Sequence, residues 1–285
     1  MVRSHRHPAP LLASSLSKSR GERFFLAYSL AWVLLFAVVI QQQLYLTFDA
    51  NSYLILGLVI FLPAPLIPIL FPALCDDPSV PFTRRYTTKA NIWIAIFSFI
   101  ANYVFTHYFY QVLHVSYTFP AHRLNDVPFA LYLITHGYFI LYHVLATFAA
   151  RVLWRIVLSN RASKRNYAIA GVVLLFGSIT TAFLETWTIK SFPYYTYPDQ
   201  RAMFTTGSVF YAIYFIVSFP CFARIDETAG VVWTMPEVVK DVLAASMAIT
   251  MLLDAWRLAV GPLVLAGDAD TRAAAATGMP WMKSV

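Results

Sequence analysis

The sequence predicts an all-α fold, a polytopic bundle of transmembrane helices. The chain has 285 residues, of which 59% are hydrophobic and only 12% are charged, about half the charged fraction of a soluble globular domain. Uncharged runs long enough to cross a bilayer recur along nearly the whole chain. This composition excludes an ordinary water-soluble enzyme, a disordered protein and a disulfide-stabilised secreted domain.

The positions of the charged residues delimit about seven predicted spans. Each can cross the bilayer as a helix, because a helix satisfies its own backbone hydrogen bonds in lipid. The second run contains Pro63, Pro65, Pro68 and Pro72, which kink or break a helix, so six or eight spans are the alternatives. The predicted spans are residues 24–48, 50–75, 90–121, 127–150, 166–184, 202–223 and 242 to about 265. Their flanking charges, in order, are Arg23, Asp49, Asp76, Lys89, Arg123, Asp126, Arg151, Arg165, Glu185, Arg201, Arg224 and Asp241.

The basic residues predict the orientation. Of the 21 Lys and Arg residues, 15 lie on the N-terminal side of the seven predicted spans and five on the opposite side. The positive-inside rule therefore places the N-terminus in the cytosol. We attribute the net charge of +7 to contact with anionic lipid headgroups, because a cluster such as residues 151–165 directly flanks a span. Nucleic acid is not an expected partner.

The chain is predicted to form one membrane domain with short tails. Residues 1–22 form a basic cytosolic tail, residues 23–266 a single helical membrane domain, and residues 267–285 a C-terminal tail. The first 23 residues contain no apolar core typical of a signal peptide, so the first span is expected to remain as an uncleaved anchor. Cys75 and Cys221 both fall at predicted cytosolic helix ends, where a disulfide is not expected.

Ionisable side chains within the predicted spans are the first functional candidates, because a charge near the bilayer centre costs at least about 2.5–3.5 kcal/mol. Asp254 and Arg257 are three residues apart and could simply neutralise each other. His136 and His143 are seven apart and could be hydrogen-bonded core residues. Glu185 has no basic residue three or four positions away on its helix. The set is His107, His136, His143, Glu185, Asp254 and Arg257.

Five of these six residues, all except His143, fall in the same lumenal half of the bilayer under the seven-span interpretation, at 1.5 Å per helical residue. The aromatic loop SFPYYTY (191–197) would cover this side, although its aromatic residues could also be interfacial belt residues. We therefore expect a polar pocket beneath an aromatic lid.

Several reaction classes do not fit the sequence. Only five histidines lie outside the N-terminal tail, without the clusters that a two-iron hydroxylase or desaturase needs. The chain shows no Gly-rich dinucleotide loop, zinc-ligand pair or nucleophile elbow. We therefore expect no metal and no cofactor. Proton chemistry or pure binding remains, and aromatic rings around a carboxyl group suit an isomerase that forms a carbocation.

Motifs spread over residues 22–281 carry a resemblance to a known family. They include KANIW (89–93), THYF (106–109), YTFP (117–120), TH and YH (135–136, 142–143), LET (184–186), SFPYY (191–195), FYAIYFIVSFP (210–220), RIDE (224–227), LDAWR (253–257) and GP (261–262). With these motifs the chain resembles the cycloeucalenol cycloisomerase (cycloeucalenol–obtusifoliol isomerase) family of plant-type sterol biosynthesis. Two positions differ from the family pattern: Phe129 stands for a histidine and Phe105 for a tryptophan.

The resemblance implies a redox-neutral isomerisation. The 9β,19-cyclopropane ring of cycloeucalenol, a 4α-methyl sterol, opens to give obtusifoliol with a C8–C9 double bond. An acid must protonate C19, which leaves a tertiary cation at C9, and a base must remove the C8 proton. Because phenylalanine cannot transfer protons, Phe129 is not part of the expected catalytic machinery.

Our assignment of roles follows from this chemistry. We expect Glu185 to be the acid, kept protonated by burial, with His107 and His136 as candidate bases. Stabilisation of the cation must supply most of the rate. The expected groups for this are Trp187, Tyr194, Tyr211, Tyr214 and a deprotonated Asp254. These aromatic residues and Tyr195 of the lid are expected to bind the substrate, and Asn102 and Arg257 would orient polar groups or the sterol hydroxyl.

The resemblance also implies the surroundings of the protein. The expected partners are a sterol substrate within the bilayer, membrane lipids and other enzymes of the sterol pathway, in the membrane of the endoplasmic reticulum. Two alternatives stay open at this point. One is a sterol-binding or receptor-like seven-helix protein without catalysis, and the other is a sterol isomerase that shifts a double bond.

Overall fold

Helices form almost all of the regular structure in the computed structural model, which describes residues 12–159 and 161–263. The all-α prediction is confirmed. Half of the predicted basic tail (residues 1–11), the end of the last predicted span and the tail at 267–285 lie outside these residues. The helices of more than four residues are α1 (Leu16–Gln41), α2 (Ala50–Phe61), α3 (Pro63–Leu70), α4 (Tyr86–Val112), α5 (Phe129–Val157), α6 (Lys164–Ile189), α7 (Gln200–Ala223) and α8 (Met235–Ala259).

Five of the described helices, α1, α4, α5, α6 and α7, are long and apolar enough to cross a membrane. The pair α2 and α3 would add a sixth span and is bent by 41°. The bend falls where Pro63 begins α3, as expected for the proline-rich run. The predicted seventh span lies in α8, which is 25 residues long but is not among these helices. A count of seven spans therefore stays a prediction.

Helix α1 begins at Leu16, two turns before the predicted start at residue 24. The Ser15 side chain caps this end by accepting a hydrogen bond from the Lys18 backbone N–H. Lys18 and Glu22 are fully buried inside the bundle. The first span was predicted too short because the partners of these two charges lie far away in the sequence.

The third predicted run does not continue as a helix to residue 121. Helix α4 ends at Val112, and His114 takes a left-handed backbone conformation, with φ of 51°, that turns the chain away. The following segment forms short strands instead. Strand β1 (Ser116–Tyr117) pairs antiparallel with β4 (Tyr195–Thr196), and β2 (Arg123–Leu124) pairs with β3 (Val127–Pro128).

Buried ion pairs join the helices at the end of the bundle where α1 begins. The Arg151 guanidinium of α5 bonds both carboxylate oxygens of Glu22, at 3.0 and 2.6 Å, and also Glu227 at 2.7–2.8 Å. Lys18 lies 2.9 Å from Glu227, and Lys89 of α4 pairs with Asp226. Burial would raise the pKa of Glu227, but hydrogen bonds from Arg151 and the charge of Lys18 hold it below its usual value. This cluster fixes α1, α4 and α5 against the loop after α7.

Candidate active site

Helix α6 carries Glu185 into the place where it meets α5 and α7. The Tyr211 hydroxyl of α7 donates a hydrogen bond to Oε2 of Glu185 at 2.8 Å. Tyr142 of α5 supplies a second hydroxyl that interacts with this carboxyl. Glu185 takes part in none of the ion pairs found among the described residues. Its partners include the neutral hydroxyl groups of Tyr211 and Tyr142.

A small polar cavity of about 90 Å³ adjoins this carboxyl. It is large enough for a few water molecules. Among the predicted site residues, its lining includes Glu185, Asn102, Tyr195, Tyr211 and Tyr214. The structure therefore brings together five side chains from α4, α6, α7 and the loop before α7.

Two π-helical turns shape the wall of this polar cavity. The turn Ala101–Phe105 interrupts α4 and contains Asn102, and the turn Met203–Gly207 interrupts α7 and contains Met203. Both Asn102 and Met203 line the cavity. A π turn inserts one extra residue into a helix and occurs frequently at functional sites. Asn102 is held in place by donating to the Ser98 carbonyl at 2.9 Å.

The aromatic loop covers the polar cavity through the pairing of β1 with β4. Tyr117 stands opposite Tyr195 in this pairing, their ring centroids are 5.0 Å apart, and both side chains line the cavity. Burial raises the pKa of both hydroxyl groups, so they stay neutral over the physiological range. Of the loop 191–197, Tyr195 therefore lines the polar cavity together with Tyr117 of β1, and the role of this loop as a lid stays a prediction.

A much larger apolar groove, of about 770 Å³, reaches Glu185 from the other side. Its walls come from α1, α5, α6 and α7, and its volume lies within the usual range for sites of drug-sized ligands. Five large apolar wall residues are exposed on the surface of the bundle: Val33, Ile40, Leu145, Val173 and Leu184. The groove is therefore open to the surroundings of the bundle along one side. Glu185 lines both the groove and the polar cavity.

The two candidate bases lie elsewhere, and neither lines the groove or the polar cavity. The His107 Nε2 atom is 3.0 Å from the Asn125 carbonyl oxygen. The His136 Nε2 atom is 3.0 Å from Oδ1 of Asn91, whose amide nitrogen already donates to two backbone carbonyls. His136 therefore donates through Nε2. His143 bonds the Phe139 carbonyl and the Ser218 hydroxyl, so it matches the alternative of a hydrogen-bonded core histidine.

The other predicted site residues are also outside the two cavities. Asp254 and Arg257 form an ion pair with each other at 2.8 Å. Trp187 is 51% exposed, and Lys190 lies over its ring at 5.1 Å. The Tyr194 ring packs on Phe192 of the lid.

Three residues on one face of α5 contribute to the two cavities and were not predicted from the sequence. Thr135 lines the polar cavity, and Tyr138 and Tyr142 line the groove. Their spacing of three and four residues predicts a shared helix face. This spacing could have identified the three residues as neighbours. Ionisable side chains were given priority instead, and on this helix they are His136 and His143, which lie on a different face. Among residues 12–159 and 161–263, no group of three or more His, Cys, Asp or Glu residues could hold a metal ion.

Comparison with known proteins gives one informative match. No family model matches the chain, and no solved structure matches it. The chain is 40% identical over 278 residues to a protein of Arabidopsis thaliana named cycloeucalenol cycloisomerase. The match covers 97% of this chain and 98% of that protein, so it extends over almost the full length of both.

Proposed function

The chain belongs to the cycloeucalenol cycloisomerase family and is an isomerase, and on this basis we propose that it opens the 9β,19-cyclopropane ring of cycloeucalenol to form obtusifoliol. The observation that carries the proposal is the position of Glu185, a carboxyl group that lines both a sterol-sized apolar groove and a small polar cavity. The groove suits the sterol body, and the carboxyl group suits the proton transfer that the reaction requires.

The first step transfers the proton of Glu185 to C19. The C9–C19 bond breaks, C19 becomes the methyl group on C10, and a cation is left at C9. Glu185 becomes a carboxylate, which the Tyr211 hydroxyl stabilises through its hydrogen bond of 2.8 Å. The rings of Tyr211 and Tyr214, with centroids 4.9 Å apart, stand beside the carboxylate, and aromatic faces attract a cation.

The second step removes the C8 proton and forms the C8–C9 double bond. The C19 bridge and the hydrogen on C8 are both on the β face of the sterol, so one group on that face can reach both. The carboxylate left on Glu185 is therefore the base that we propose. His107 and His136 are engaged in contacts elsewhere, which favours Glu185 over either histidine. The reaction returns Glu185 to its starting protonation state and uses no oxidant or reductant.

We propose that the protein acts in the membrane of the endoplasmic reticulum with its N-terminus in the cytosol. The bias of 15 to five basic residues between the two predicted sides supports this orientation. The apolar helices support a location in a membrane.

Glu185→Gln tests the assignment, because glutamine keeps the shape of the side chain and cannot supply the proton. Membranes that contain the protein are incubated with cycloeucalenol, and the sterols are analysed by mass spectrometry. We expect turnover to fall by about 10²-fold or more. The matched control is Asp254→Asn, which removes a second carboxylate from a helix outside the site and should leave most of the turnover. A fully active Glu185→Gln protein with an inactive Asp254→Asn protein would move the acid to Asp254.

A further inference from the structure

We infer that the sterol binds in the groove with its hydroxyl end towards the lid and its alkyl side chain along α6 towards Gly171. This inference rests on the proposed function, because it takes Glu185 as the group that meets the cyclopropane ring. It goes further by assigning the direction of the substrate and the wall that contacts the side chain.

The groove extends very unequally on the two sides of Glu185. Towards the lid, its lining ends near Thr188, about 4.5 Å further along α6 at 1.5 Å per residue. In the other direction the lining continues to Gly171 and Ala170, about 21–22 Å away by the same rise. Helix α5 gives a matching length, because Tyr142 stands near Glu185 and Trp154 lies about 18 Å further along. Glu185 therefore stands close to one end of a long channel.

A cyclopropyl sterol has the same asymmetry about its reacting atoms. On one side of C9 and C19 lie only ring A and the 3-hydroxyl group. On the other side lie rings C and D and the long alkyl side chain. When the reacting carbons are placed at Glu185, the short part matches the space near Thr188 and the long part matches the channel beside α6. The reverse direction would require the alkyl side chain to fit within about one helical turn.

The polarity of the walls supports the same direction. At the lid end the groove is lined by Glu185 and Thr188, which offer oxygen atoms to a hydroxyl group. Apart from Trp154, the far end has an apolar lining, with small residues that leave width for an alkyl chain: Ala149, Ala150, Ala170, Gly171 and Ala223. A buried hydroxyl group without a partner is unfavourable, whereas a hydrocarbon chain loses nothing in such surroundings.

Gly171 offers a direct way to shorten the channel. A Cβ atom added at this glycine would meet nothing within 4 Å, so a larger side chain can enter the groove without displacing the backbone. Gly171→Phe is compared with Val172→Phe. Val172 is the adjacent residue, is exposed on the outer surface and does not line the groove. Both variants add a large side chain to the same turn of α6, but only the first fills the groove.

Each protein is assayed with cycloeucalenol and with an analogue whose side chain is truncated at C20. The quantity compared is kcat/KM for cycloeucalenol divided by kcat/KM for the truncated analogue. We expect Gly171→Phe to lower this ratio by about tenfold or more. Val172→Phe should keep the wild-type ratio. An unchanged ratio in Gly171→Phe would overturn the assigned direction. If the wild-type protein converts neither sterol, the proposed function itself is wrong, which is a separate outcome.

A second measurement uses the wild-type protein and does not depend on folding of a variant. A cyclopropyl sterol with a diazirine at the end of its side chain is photolysed in membranes, and the labelled peptides are identified by mass spectrometry. The inferred direction places the label near Trp154 and Gly171. Labelling of the lid, residues 191–197, would show that the sterol binds in the reverse direction.

Discussion

Arg151 joins three parts of the protein, since its guanidinium bonds Glu22 of α1 and Glu227 of the loop after α7 at distances of 2.6–3.0 Å. Arg151 is 3% exposed and Glu22 is fully buried. Arg151→Met would leave the Glu22 carboxylate buried without the guanidinium. Removal of one partner from a buried ion pair destabilises a protein by about 3–5 kcal/mol. At about 2–4 °C per kcal/mol for a chain of this size class, the melting temperature should fall by about 6–20 °C.

Thermal unfolding of the purified protein in detergent, followed by near-ultraviolet circular dichroism, measures this change. Arg165→Met is the matched control, because Arg165 is exposed at the start of α6 and surface substitutions usually change stability by no more than about 0.5 kcal/mol. The double variant Arg151→Met, Glu22→Gln should recover part of the loss, since the orphaned charge is removed as well. Equal melting temperatures for Arg151→Met and Arg165→Met would refute the reasoning.

The same cluster of ion pairs should make the melting temperature depend on pH in the acid range. The pKa of Glu227 is lowered in the folded protein, so its contribution to stability is complete above the unfolded value of about 4.3 and disappears as the pH falls through the lowered folded value. The wild-type melting temperature should therefore decrease below about pH 4.3. Arg151→Met should lose less on the same acidification, because it lacks the hydrogen bonds that lower this pKa.

Three further predictions concern the reaction and the topology. Tyr211→Phe removes the hydrogen bond to Glu185, so turnover should fall by about 10–150-fold. Tyr214→Phe keeps the aromatic ring, so its turnover should stay within about twofold of the wild-type value. Equal steady-state rates for the two variants would contradict the role of the Tyr211 hydroxyl. In deuterium oxide, the C19 methyl group of the product should gain deuterium if Glu185 exchanges its proton with water between turnovers. If the proton is instead transferred internally, substrate deuterated at C8 should pass that deuterium to C19. A C19 methyl group that carries deuterium in neither experiment would exclude protonation at C19. A tag inserted between Val157 and Lys164 should be cytosolic, and a glycosylation site between Pro198 and Gln200 should be modified; the opposite pattern would reverse the predicted orientation.

The fold was predictable wherever a helix is defined by an uncharged run. Helices α6 and α7 lie within a few residues of their predicted bounds for this reason. The start of α1 was not predictable, because Lys18 and Glu22 are buried beside partners about 130–210 positions further along the chain. The end of α4 was missed because His114 leaves the helical conformation, which hydropathy does not record.

The part of the site formed by an ionisable side chain was predictable from the sequence, whereas part of its uncharged lining was not. Glu185 stood out because a carboxyl group in an apolar helix needs an explanation, and the lid residue Tyr195 followed from its place in the chain after that helix. Asn102 and Tyr211 do line the polar cavity beside it. Thr135, Tyr138 and Tyr142 carry no charge, so a search for ionisable groups did not select them. Which face of α5 turns towards α6 depends on packing between helices, and one sequence does not fix it.

The open side of the groove has a consequence for how turnover depends on the surroundings. Val33 and Val173 are exposed on this side, where we expect lipid hydrocarbon, so we expect a sterol to reach Glu185 by lateral diffusion without entering water. The effective substrate concentration is then the mole fraction of sterol in the lipid. Addition of inert phospholipid to the same vesicles should slow the enzyme by surface dilution, whereas addition of buffer should not. Flux through the protein would then follow the composition of its own membrane.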